Sequence, residues 1–150
     1  FMNVLAIVAG IPVLLAVYGV VRRQRFFFLL GYLLYALIVV PNELGEYMAT
    51  GSMERLAVAM VWILQGILAF PNKLNYDGSK VFKSFGIKTF LCLAAINLFG
   101  VLLTRVMPTP PDFTEGLRTM IGVFHGILAV LPFMGIYLMA TNKIPVGTND

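Results

Sequence analysis

Cysteine, histidine and tryptophan each occur once, as Cys92, His125 and Trp62, and charged residues are only 12% of the 150. A lone cysteine cannot close an internal disulfide, so a disulfide-stapled scaffold is excluded. Neither Cys-x-x-Cys nor His-Glu-x-x-His occurs, and no metal cluster is legible. A phosphate loop, a Gly-x-Gly-x-x-Gly turn and a Gly-x-Ser-x-Gly elbow are also missing. Within the apolar stretches no serine accompanies His125, which removes a catalytic triad. Enzymatic activity is therefore not expected, and an enzyme acting on lipid would need a nucleophile or metal cluster that the chain does not offer.

What the chain has is apolar side chain. Hydrophobic residues make up 59% of it, and the mean hydropathy is +0.88. A soluble domain of this length cannot bury so much, so the surplus calls for lipid. The net charge of +4 comes from eleven Lys and Arg against seven Asp and Glu. These basic residues sit in short clusters between apolar runs and form no single patch, so a nucleic-acid partner is not expected.

The runs imply an all-α, polytopic transmembrane bundle of about five spans in one domain over residues 1–150. The expected spans are 2–21, 26–47, 54–71, 86–106 and 116–141. Several apolar cores are shorter than the roughly 20 residues of a full crossing. Flanking Arg55, Lys73, Lys88 and Arg105 would then reach toward the headgroups. Pro12 is expected to kink the first span. The second reaches Pro41 and either ends there or continues through Glu43 and Glu46 toward Gly51. Pro41-Asn42-Glu43-Leu44 and Pro71-Asn72-Lys73-Leu74 both read as helix-end chemistry.

Charge in the connections sets the orientation. Arg22, Arg23 and Arg25 follow the first run, opposite to the order in a secretory signal, which favours a retained span and an exported N-terminus. Lys73, Lys80, Lys83 and Lys88 mark the third connection, and Lys143 and Asp150 the tail. The second connection is acidic, with Glu43, Glu46 and Glu54 beside Arg55. The fourth is mixed, with Arg105, Asp112, Glu115 and Arg118 around Pro108-Thr109-Pro110-Pro111. Five crossings with the N-terminus outside and the C-terminus cytoplasmic put the basic connections on one side. A bacterial inner membrane is the expected location.

Polar residues at membrane depth are costly, so they carry the functional information. The candidates for a pathway or ligand site are Glu43, Glu46, Gln65, Asn97 and His125. Glu43 and Glu46 share a face if the helix continues, and otherwise belong to an acidic outer loop. Arg55 and Arg105 lie where they can neutralise these acids. His125 falls about nine residues into its span, or about 13 Å. It fits a hydrogen bond between helices, a proton relay, or axial ligation of a haem or pigment metal, for which it is the one candidate. Gly122 and Gly126 form a small-residue pair for helix packing, either inside the chain or toward a partner. Trp62, Tyr32 and Tyr35 read as packing or interfacial anchors. Gln65-Gly66-Ile67-Leu68-Ala69 and His125-Gly126-Ile127-Leu128-Ala129 share four residues. Chance produces such a match readily among membrane spans; a true repeat would bring Gln65 and His125 to one depth.

Two functions follow as expectations. One is a transporter or channel-type subunit whose outer-half polar cluster carries a proton or cation. The other is a non-catalytic accessory subunit of a larger membrane complex, binding lipid, haem or pigment. Both imply a lipid bilayer and either a homo-oligomer or partner membrane subunits; no particular cofactor is indicated.

Overall fold

The computed structural model describes residues 2–72, 75–107 and 114–147, with side chains from residue 7 onward. Lys73 and Leu74, Pro108-Thr109-Pro110-Pro111, Asp112 and Asp150 lie outside the described residues. Five helices account for most of the rest: α1 (Met2–Arg22), α2 (Arg25–Thr50), α3 (Met53–Leu68), α4 (Lys80–Val106) and α5 (Glu115–Ala140). No strand occurs among the described residues. Three of these helices, α2, α4 and α5, are long and apolar enough to cross a membrane. They make the chain a helix bundle of membrane-protein type. At 1.5 Å per residue the 16 residues of α3 reach only about 24 Å, short of a hydrocarbon core of about 30 Å.

Helix ends follow local chemistry. Arg23 adopts a positive φ of 57°, and the Gln24 N–H donates to the Gly19 carbonyl at 2.8 Å, which turns α1 into α2 within two residues. Gly51, at φ 70°, caps α2 by donating to the Tyr47 carbonyl, a left-handed position that glycine takes without a Cβ penalty. Ser79 and Thr114 cap α4 and α5, their hydroxyls accepting from Phe82 N and Leu117 N.

Pro41 corrects the helix-end reading. It lies inside α2, which continues nine residues beyond it to Thr50. The loop reading of Glu43 and Glu46 falls with it, since both are helical. The apolar spacing continues through Leu44, and the helix carries Glu43 to a mostly shielded ion pair with Arg55. Helices at membrane depth tolerate proline where neighbours satisfy the freed groups. Pro71, by contrast, follows the end of α3. Charge also concealed the start of α4, which begins at Lys80 rather than 86.

The helices close into a ring, each packing on its chain neighbours and α5 returning to α1, with the sparsest packing between α3 and α4. The α1–α2 approach is close: a Cβ on Gly31 would lie 2.5 Å from the Pro12 carbonyl oxygen and 2.7 Å from Ala16 N. Aromatic side chains fill the middle. Trp62 and Tyr32 are among the largest fully buried residues, and Tyr35, Phe28 and Phe90 are buried beside them. Leu14, Val21, Leu102, Val130 and Phe133 are more than half exposed, as lipid-facing residues would be.

Antiparallel packing sorts charge to the two ends. At one end Arg25 donates to Asn72 Oδ1 at 3.0 Å and Arg23 to the Lys143 carbonyl at 3.2 Å, while Lys83 donates to Asn142 Oδ1. At the other, Arg55 meets Glu43, and Arg118 donates to the carbonyls of Thr104 and Arg105. The first end is strongly basic and the second mixed.

Candidate functional site

Polar side chains within apolar helices must turn inward and find partners, because lipid offers none. Four of the five expected site residues do so: Glu43, Gln65, Asn97 and His125 are buried. Three of them meet at the centre. Asn97 Nδ2 donates to Gln65 Oε1 at 2.7 Å and to the Leu93 carbonyl at 2.9 Å, while Asn97 Oδ1 lies 3.3 Å from His125 Nδ1. Gln65 Nε2 donates to the Tyr32 backbone carbonyl at 3.1 Å. On the far side of the imidazole, Tyr35 Oη sits 3.3 Å from Nε2. The ladder therefore joins α2, α3, α4 and α5, and its Asn97–Gln65 bond crosses the sparse α3–α4 seam.

The bonding pattern fixes donor roles. Because the Asn97 amide nitrogen donates to two acceptors, its oxygen must accept, so His125 Nδ1 carries a hydrogen. In the neutral imidazole Nε2 then accepts from the Tyr35 hydroxyl. The ring itself is enclosed. Tyr35 and Trp62 contact it edge-on, with centroids 5.1 and 5.3 Å away. From α4, a Cβ on Gly100 would come within 2.7 Å of Nδ1. A haem or pigment macrocycle needs an open face at a ring nitrogen, and this setting does not fit one.

Glu43 is separate from the ladder. Its carboxylate takes bonds from Arg55 Nη1 at 3.1 and 3.4 Å, with both side chains mostly shielded. Glu46, on the same helix, is half-exposed and does not join this pair. Arg105 lies at the mixed end, where its carbonyl accepts from Arg118. The glycine pair also divides. Gly122 faces Thr104, whose Oγ1 would be 3.2 Å from an added Cβ, whereas Gly126 opens onto free space.

Three features escaped the sequence reading. Tyr35 is a hydrogen-bonding member of the ladder, although spacing alone marks it as an aromatic packing residue. Trp62 Nε1 is buried beside His125 with no hydrogen-bond partner within the described residues. Gln24 and Tyr76 each bury an oxygen without a partner among the described residues at the basic end, in connections where periodicity gives no signal. No group of three or more His, Cys, Asp or Glu suited to a metal occurs among the described residues. Comparison with protein-family models, curated proteins and solved structures finds no match.

Proposed function

We propose that this chain is a non-catalytic, lipid-embedded subunit that packs beside partner helices in a larger membrane assembly. The closed hydrogen bonding around His125 carries this reading. A proton relay needs groups that exchange protons on both sides of the imidazole. Tyr35 is one such group, but the other neighbour is the Asn97 amide, followed by the Gln65 amide, and neither titrates near neutral pH. A ladder of this kind fixes helix order across the weak seam, the use to which interhelical hydrogen bonds in membranes are commonly put. The open Gly126 backbone, flanked by exposed Val123 and Val130, offers a partner helix a close approach.

Substitution of that glycine is the test. A Cβ added at Gly126 meets no described neighbour within 4 Å, and the flanking Val123 and Val130 are exposed, so Gly126→Leu should leave the thermal midpoint of the purified protein unchanged. In native gels of membranes it should lose the larger species that wild type forms. Wild type migrating alone, or a larger species that survives Gly126→Leu, would refute the reading.

The second reading is a proton or cation path in the half of the bundle between Glu43 and His125. The unpartnered Trp62 Nε1 favours it, because a buried donor without an acceptor can hold a water, and a water there would extend a path beside His125. Proton flux into liposomes carrying wild type, abolished by both Glu43→Gln and His125→Gln, would replace the first reading with this one. In either case the basic end supports a cytoplasmic C-terminus.

A further inference from the structure

We infer that the basic end of the bundle holds the headgroup of an acidic phospholipid, a property independent of the function proposed above. A cavity of about 40 Å³ lies between the α1–α2 turn, the start of α4 and the end of α5. That exceeds the roughly 10–15 Å³ one water needs and is too small for a whole lipid. Its walls are mostly apolar, including Phe28, Phe90, Met139 and Ile144, and Arg23, Gln24, Arg25 and Tyr76 complete the lining.

Tyr76 supplies the observation that points to a ligand. The residue is only 3% exposed, and its hydroxyl has no hydrogen-bond partner among the described residues. It is nevertheless held firmly: its carbonyl accepts from Gly147 N at 2.9 Å, and its ring packs edge-on against Phe82 at 5.3 Å. Phe82 in turn lies under the Arg25 guanidinium at 4.9 Å. Burial, with the adjacent Asp77 carboxylate, raises the Tyr76 pKa, so the group stays a hydroxyl. Gln24 Oε1, in the same lining, is also buried without a partner. Tyr76 Oη offers a donor, and Gln24 Oε1 an acceptor, to a headgroup hydroxyl.

The phosphate has a cationic counterpart. Arg23 spends one bond, from Nη1, on the Lys143 carbonyl, and a guanidinium carries five N–H donors. Arg25 adds charge at the same lining while bonded to Asn72. Exposed Val21 and Phe85 flank this end of the bundle, so acyl chains can remain in the bilayer while the headgroup enters. Phosphate and hydroxyl are the polar groups that a phosphatidylglycerol headgroup presents.

The experiment uses the full chain in neutral detergent and follows its thermal midpoint with added phosphatidylglycerol, phosphatidylcholine or sodium phosphate. Phosphatidylglycerol should raise the midpoint, and the other two should leave it unchanged. Tyr76→Phe should cut that rise sharply while leaving the lipid-free midpoint equal or higher, since it removes an unpartnered buried hydroxyl. Arg23→Asn, which keeps a residue tolerant of positive φ, should reduce the rise as well. An equal rise from phosphatidylcholine, a rise from phosphate alone, or a rise that survives both substitutions would overturn the assignment. So would a Tyr76→Phe variant that loses lipid-free stability and keeps the full response.

Discussion

Asn97 Oδ1 and His125 Nδ1 lie 3.3 Å apart, and that contact decides which imidazole nitrogen carries the hydrogen. Asn97 can only accept there, because its amide hydrogens go to Gln65 and Leu93. The imidazole is thus held by α4 on one side and, through Tyr35, by α2 on the other.

Substitutions at position 125 should separate according to what they leave unpartnered. His125→Gln keeps a donor toward Asn97 and should cost about 1 kcal/mol, the scale of interhelical hydrogen bonds in membranes. His125→Leu leaves Asn97 Oδ1 buried without a donor and should cost about 1–3 kcal/mol. Reversible unfolding in mixed micelles measures both. A leucine variant as stable as the glutamine variant would show that the contact contributes no stability.

Gly100 should be as sensitive as His125. An added methyl would press on the ring at 2.7–2.9 Å from Nδ1, Cγ and Cε1, and overpacking of this kind costs about 1–3 kcal/mol. Gly100→Ala combined with His125→Ser should recover part of that loss, because the smaller side chain withdraws from the methyl. Additive losses in the double variant would mean that ring and glycine do not share the space.

The ladder's members were legible because polar residues in apolar runs have few places to go. Gln65, Asn97 and His125 stand out in any hydropathy reading, and all three turn inward. Gln65 and His125 also bond to one carboxamide, so they lie near the same depth, as the matched pentapeptides would require. Partnership was not legible, since helix periodicity fixes a face but not the rotation of one helix against another. Tyr35 shows the difficulty: an aromatic at a core position can pack, donate, or do both. Pro41 misled because its local effect on a helix is opposed by the ion pair formed beyond it. Tyr76 lies in a connection whose geometry depends on a residue far away in sequence, Gly147.

The Glu43–Arg55 pair should behave as a unit. Removing either charge takes the 3.1 Å contact away from a mostly shielded partner, so Glu43→Gln and Arg55→Gln should each cost about 1–3 kcal/mol. The double variant should cost less than their sum. Glu46→Gln, at a half-exposed position outside this pair, should change stability by less than about 0.5 kcal/mol. Unfolding midpoints of the four variants test this. Strict additivity for Glu43 and Arg55 would mean that their 3.1 Å contact has no energetic weight.

The two ends of the bundle give an expected orientation in the membrane. One end gathers Arg22, Arg23, Arg25, Lys80, Lys83 and Lys143 against Asp77, while the other carries Glu43, Glu46, Glu54 and Glu115 among its arginines. Lys and Arg near span ends are retained in the cytoplasm. Reporters placed after Arg25, after Lys80 and at the C-terminus should therefore be cytoplasmic, and reporters near Ser52 and Pro110 external. The short α3 is the critical element, because a helix of 16 residues must tilt little and draw Arg55 toward the headgroups to cross. If α3 does not cross, the Ser52 and Lys80 reporters will fall on the same side, and α4 and α5 will invert relative to this arrangement. Moving Arg22, Arg23 and Arg25 to the N-terminus should shift the reporters toward the opposite orientation, which distinguishes charge control from orientation set by the helices alone.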